Sequence, residues 1–117
     1  IQVTLDYIYA SPRVRAQQTA AIMAGYFKPA VETRPELNFD FSLDLLRRLL
    51  LDKDEEAHVL LVGHNPSMSE VVQAVSGAAV NMKVGSIARV DLYPPAVKGG
   101  LLKWLLSPRV LDAMAGA

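Results

Sequence analysis

The apolar positions of this chain fall into short blocks that alternate between the spacing of a strand and that of a helix. Tyr7, Ile8, Tyr9 and Ala10 are β-favouring and predict a first strand. Ser11 and Pro12 then read as a helix start, with a serine N-cap and proline at the first helical position. That helix should run to about Tyr26, with Ala16, Ala20, Met23, Ala24 and Phe27 on one face and Pro29 beyond its end. Val31, Glu32 and Thr33 predict a short edge strand, and residues 34–41 a loop punctuated by Pro35 and Asn38. Ser42 is placed to cap a second helix. Its Leu45, Leu46, Leu49 and Leu50 share one face, opposite Asp44, Arg47 and Arg48. The charge run over residues 52–56 reads as a solvated loop or fraying helix end.

The stretch from His58 to Ser76 organises the rest. Val59, Leu60, Leu61 and Val62 form a continuous apolar run that suits a strand buried on both faces. Gly63, His64, Asn65 and Pro66 make a turn, and Ser67 with Glu70 has capping-box spacing. Met68, Val71, Val72 and Val75 recur at helical spacing, and Gly77 ends the helix. Further on, Ala88, Val90 and Leu92 alternate with Arg89 and Asp91, predicting a half-buried strand over 87–93. Pro94 and Pro95 break it, a Lys98-Gly99-Gly100 turn follows, and residues 101–107 predict a returning strand carrying Trp104. A short, fraying helix is expected after Pro108. The order β-α-β-α-β-α-β-β argues an α/β fold: a mostly parallel sheet flanked by helices on both faces, with an antiparallel C-terminal edge hairpin.

Composition narrows the function classes. The 117 residues allow one domain over positions 1–117, and 51% hydrophobic residues can fill its core. Lys+Arg and Asp+Glu both number 12, so net charge favours neither a nucleic-acid nor an anionic-membrane partner. No apolar run approaches the ~20 residues that span a bilayer, and no signal peptide is visible. Cysteine is absent, which removes disulfides and thiolate metal sites and fits a cytoplasmic location. The chain begins at Ile1 and enters a strand almost at once, which reads as an N-terminally incomplete record of a longer protein.

Two strand-to-helix turns carry the candidate chemistry, at Ala10-Ser11-Pro12 and at Gly63-His64-Asn65-Pro66. If their strands are neighbours, both turns open on the same edge of the sheet, where ligands bind in open α/β folds. Arg15 lies one turn into the first helix and His64 on the second turn. An arginine and a histidine meeting at two helix N-termini make a pocket for a phosphate-like oxyanion. The bland alternatives are a turn histidine without chemistry for His64 and a surface arginine paired with a nearby carboxylate for Arg15, and Arg13 is read as such a surface arginine. His58 belongs to the opposite end of its strand and reads as a solvated loop residue.

The segments SPRVRAQQTA (residues 11–20) and VLLVGHNPSMSEVV (residues 59–72) together resemble the histidine phosphatase superfamily, which is phosphoglycerate mutase-like in fold, and within it the small SixA-type phosphohistidine phosphatases. The shared pattern is serine-proline, an arginine three residues on, glutamine-threonine, and later an apolar strand ending in glycine-histidine-asparagine-proline. The resemblance implies a phosphatase working through a phosphohistidine intermediate, without metal or cofactor. Arg15 and His64 match residues that hold the phosphoryl oxygens, and Ser11 and Asn65 join them in the substrate-binding set. Glu36 lies where some relatives place a proton donor, although a plain loop carboxylate is the favoured reading. The implied partner is a phosphorylated protein or a small phosphate ester, with phosphate or sulfate in the pocket. The short connections favour a protein surface.

The chain departs from the pattern at one decisive point. The family's nucleophile lies in an arginine-histidine-glycine motif at the end of the first strand, and no such tripeptide occurs here. The nucleophile is therefore expected upstream of Ile1, on a strand central to the family's sheet. The alternative reading is a non-catalytic phosphate- or phosphoprotein-binding domain. A third is an α/β module whose motif matches are coincidental.

Overall fold

The computed structural model describes residues 4–53, 57–78, 87–92 and 100–106. Strand β1 spans Tyr7–Ala10, helix α1 Val14–Ala24, strand β2 Val31–Thr33, helix α2 Leu43–Leu50, strand β3 Val59–Val62, helix α3 Ser67–Ser76, strand β4 Ile87–Leu92 and strand β5 Gly100–Leu106. The expected order of elements is therefore present. The predicted terminal helix after Pro108 lies outside the described residues.

β1 is the middle strand of a parallel sheet of order β2-β1-β3. Ile8 pairs with Val31 on one side and Leu60 on the other. Strand pleating then sorts the side chains by alternation. Tyr9, Val59 and Leu61 face one layer, where Leu37, Phe41, Leu46, Leu49, Val71 and Val75 close the larger core. Ile8, Ala10, Leu60 and Val62 face the other, against Ala20, Ala24 and Phe27. Helix α1 thus covers one face, and α2 with α3 covers the other, as expected.

Three differences have clear physical causes. First, β3 is half-buried at all four positions, not buried on both faces. Among the described residues it pairs only with β1, so it forms the sheet's edge. Second, the predicted loop over 34–41 contains a single 3-10 turn, Pro35–Leu37. Leu37 is fully buried and Phe41 nearly so, which turns this connection into part of the core floor. Third, β4 and β5 pair antiparallel as predicted, but in a two-stranded ladder of their own. Their place as an edge of the parallel sheet is not shown by the described residues, and the burial expected for the strand over 87–93 lies outside them.

The caps were partly legible. Ser42 accepts the Leu45 N–H at 3.4 Å, as its spacing predicts. Gly77 ends α3 in the left-handed conformation at φ 77°, a geometry that a Cβ disfavours. Ser11 does not cap α1, which begins three residues later with Arg13 at the N-cap. Ser67 does not form a capping box with Glu70. Its buried hydroxyl donates instead to the Phe39 carbonyl, and Asn65 Oδ1 receives the Ser69 N–H at 3.3 Å. Of the charge run, Lys53 is not simply solvated: its Nζ pairs with Asp52 and lies 4.5 Å from the centre of the Tyr7 ring.

Candidate oxyanion site at the carboxyl end of the parallel sheet

The chain leaves β1 toward α1 on one face of the sheet and leaves β3 toward α3 on the other. Because β1 and β3 are adjacent and parallel, the two departures open a crevice just beyond their carboxyl ends, the position at which open α/β sheets bind ligands. The condition set by the sequence is met.

Ser11 anchors the crevice. It is fully buried, and each of its polar groups is used. Its N–H extends the ladder to the Val62 carbonyl at 2.9 Å, and its carbonyl accepts from Gln17 Nε2 at 2.8 Å. Its hydroxyl oxygen accepts the Arg13 N–H at 3.3 Å and lies 2.8 Å from His64 Nε2. A residue of the first turn and a residue of the second, 53 positions apart, are thus in direct contact. Gln17 Nε2 also donates to Thr33 Oγ1 at 3.0 Å, which ties α1 to the end of β2.

His64 is held on its ring face as well. Phe39, from the connection before α2, sets its ring centre 4.5 Å from that of the imidazole, tilted by 37°. Burial lowers the His64 pKa from its ordinary value, and the nearby Arg13 charge lowers it further. Both effects favour the neutral imidazole. A dianion beside this ring would favour the imidazolium instead, since an opposite charge stabilises the protonated form.

The cations behave differently from surface arginines. Arg15 is exposed on the first turn of α1, and among the described residues it makes no hydrogen bond or ion pair. No acidic residue occupies that turn. Arg13 was expected to meet a carboxylate. It donates from Nε to Asn38 Oδ1 at 3.2 Å and lays its guanidinium 4.5 Å from the centre of the Phe39 ring. Asn65 Oδ1 caps the start of α3 instead, accepting from Ser69 Oγ at 2.8 Å as well as from the Ser69 N–H.

Glu36 sits in the 3-10 turn and meets Arg34 Nη2 at 2.9 Å. That hydrogen bond holds its carboxyl below the ordinary value. A carboxylate kept ionised by a guanidinium is a poor acid, so this pairing supports the structural reading of Glu36. Sequence reasoning missed Phe39 and Asn38. The signal available was an aromatic residue in a polar connection, and it became meaningful only when that connection was seen to pass beside His64.

In a search of solved structures, the chain matches the protein histidine phosphatase SixA complexed with tungstate, with a TM-score of 0.78 and 27% identity over 93% of this chain and 72% of that one. The chain has the fold of a SixA-type histidine phosphatase. A protein from Nakamurella multipartitia provisionally named phosphohistidine phosphatase SixA shares the fold, with a TM-score of 0.71 and 21% identity over 91% of this chain and 72% of that one. No family model and no curated protein sequence matches. Within this SixA-type frame, the described residues contain no cluster of three or more histidine, cysteine or acidic side chains able to hold a metal, and no helix long and apolar enough to cross a membrane.

Proposed function

We propose that this chain carries the oxyanion-binding half of a SixA-type phosphohistidine phosphatase. The observation that carries the reading is the 2.8 Å contact between Ser11 Oγ and His64 Nε2, which assembles both motifs at one crevice. Arg15 and His64 hold the equatorial oxygens of a phosphoryl group, and the positive end of α1 adds to their field. Phosphoryl transfer needs little beyond such positioning and charge stabilisation.

The attacking group belongs to a further segment. Neither histidine of the chain can serve, since His64 is engaged in the anion site and His58 lies at the other end of β3. Among the described residues β3 pairs only with β1, which leaves its other edge for a parallel strand that delivers an imidazole from an arginine-histidine-glycine turn into the same crevice. Its nitrogen would form a bond to phosphorus as the bond to the leaving group breaks. Water would then take the phosphoryl group and restore the imidazole. The short connections around the crevice suit a phosphohistidine presented on a protein surface in the cytoplasm, with a small phosphate ester as the lesser substrate.

Two measurements test this reading. The 117-residue chain should bind tungstate by calorimetry. The protein extended through that upstream strand should dephosphorylate a phosphohistidine protein, and lose turnover by about a hundredfold or more in Arg15→Ala and His64→Ala. Undiminished turnover in both variants would overturn the assignment.

A further inference from the structure

Arg13 lies outside the motif that selects Arg15, yet it is the better fixed of the two. Its Nε is committed to Asn38 Oδ1 at 3.2 Å, and its guanidinium carbon lies over the Phe39 ring, 4.5 Å from the ring centre. The same ring packs against His64 at 4.5 Å. The Arg13 backbone N–H meets Ser11 Oγ, the atom that also contacts His64 Nε2. Arg13 is therefore attached to the crevice at its backbone, its Nε and its guanidinium carbon. Its two terminal nitrogens have no partner among the described residues, and no carboxylate neutralises it. An arginine immobilised in this way has already lost the side-chain freedom that an exposed arginine gives up on binding.

We propose that Arg13 is a second anion-binding cation of this site, donating from its terminal nitrogens to the same oxyanion that Arg15 and His64 hold, with Asn38 and Phe39 as the residues that position it. The assignment rests on the oxyanion reading of the crevice and adds a residue and a support to it. A guanidinium fork matches two oxygens of a tetrahedral anion, which an ammonium does not. The aromatic ring beneath the guanidinium holds it beside the imidazole that the same ring contacts.

Tungstate and inorganic phosphate, titrated into the whole chain by calorimetry at fixed ionic strength, separate the possibilities. Arg13→Gln should weaken tungstate binding about ten- to a hundredfold, the range for loss of charge-assisted hydrogen bonds. Arg13→Lys keeps the charge without the fork and should recover only part of that loss. Phe39→Leu removes the platform but leaves Arg13 in the chain, and should cost several-fold. Phe39→Tyr should bind as the parent does. Thermal unfolding of each variant identifies any that fail to fold, and for those the Phe39→Leu and Phe39→Tyr pair carries the comparison. Parent-like tungstate affinity in Arg13→Gln, alongside a large loss in Arg15→Ala, would overturn the role of Arg13 and leave the site reading standing. Absence of tungstate binding by the unaltered chain would overturn both.

Discussion

The two histidines of this chain bracket one strand, and the contrast between them shows what makes a site. His58 precedes β3 and is exposed. Its N–H donates to Asp6 Oδ2 at 2.8 Å, its carbonyl accepts the Asp6 N–H at 2.8 Å, and its Nδ1 lies 2.9 Å from the Thr4 carbonyl. These contacts fasten the start of β3 to the start of β1. His64 follows β3 and is half-buried against Phe39 and Ser11. At the first end the polar groups satisfy one another across two strands. At the second, Arg13 lies near the imidazole and Arg15 stands on the first turn of α1, neither with a carboxylate partner among the described residues. The residue type is the same and the strand is the same. What differs is the end: helices depart from the carboxyl end of parallel strands with their N–H groups toward the crevice, the end at which open α/β sheets offer donors to an anion.

Exchanging the two histidines' fates is the strongest way to break this contrast. His64→Ala should reduce tungstate affinity about a hundredfold, whereas His58→Ala should leave it within about twofold and lower the unfolding temperature instead. Calorimetry and thermal unfolding of both variants read this directly, and equal losses of affinity would erase the distinction between the ends.

A smaller effect is expected from Gly63, which links β3 to His64. A Cβ there would lie 2.9 Å from Met68 Sδ and 3.4 Å from the Leu37 carbonyl. Gly63→Ala should therefore destabilise the chain by about 1 kcal/mol, moderated by the flexibility of the Met68 thioether. Because the strain falls on the turn, it should also weaken tungstate binding a few-fold. Chemical denaturation and the same titration measure the two effects.

The smallest effect concerns protons. The His64 pKa is lowered in the fold, so the folded chain binds fewer protons than the unfolded one over the interval between the two values. Its contribution to stability is complete above the ordinary imidazole value of 6.5 and is lost as pH falls through the folded value. Glu36, also lowered, contributes in the same direction at more acid pH, complete above 4.5 and lost below. Anion binding reverses the bias on His64. Tungstate titrated near pH 7 in two buffers of different ionisation enthalpy should show net uptake of less than one proton per anion. No uptake would place the imidazole away from the anion.

Much of the fold was legible because its elements are locally consistent. The leucines at 45, 46, 49 and 50 and the serine at 42 agree on α2, and the structure places both as expected. The run Val59–Val62 and the glycine at 77 were equally direct. Less legible were positions where a local preference met a stronger tertiary contact. Ser67 has capping-box spacing, but a buried hydroxyl must find an acceptor, and the Phe39 carbonyl is the one beside it. Leu37 sits among loop-forming residues, yet burial beneath Tyr9 outweighs that preference and folds the segment into a turn.

The same division holds at the site. Alternating periodicities, two strand-to-helix turns and the residues Arg15 and His64 are properties of the chain taken segment by segment, since they depend on neighbours a few positions away. The adjacency of β1 and β3, the contact of Ser11 with His64, and the recruitment of Arg13, Asn38 and Phe39 depend on groups brought together from distant parts of the polymer. Those pairings are set by which apolar faces must be buried together, and that is settled only when the sheet and its two helical layers close around their cores.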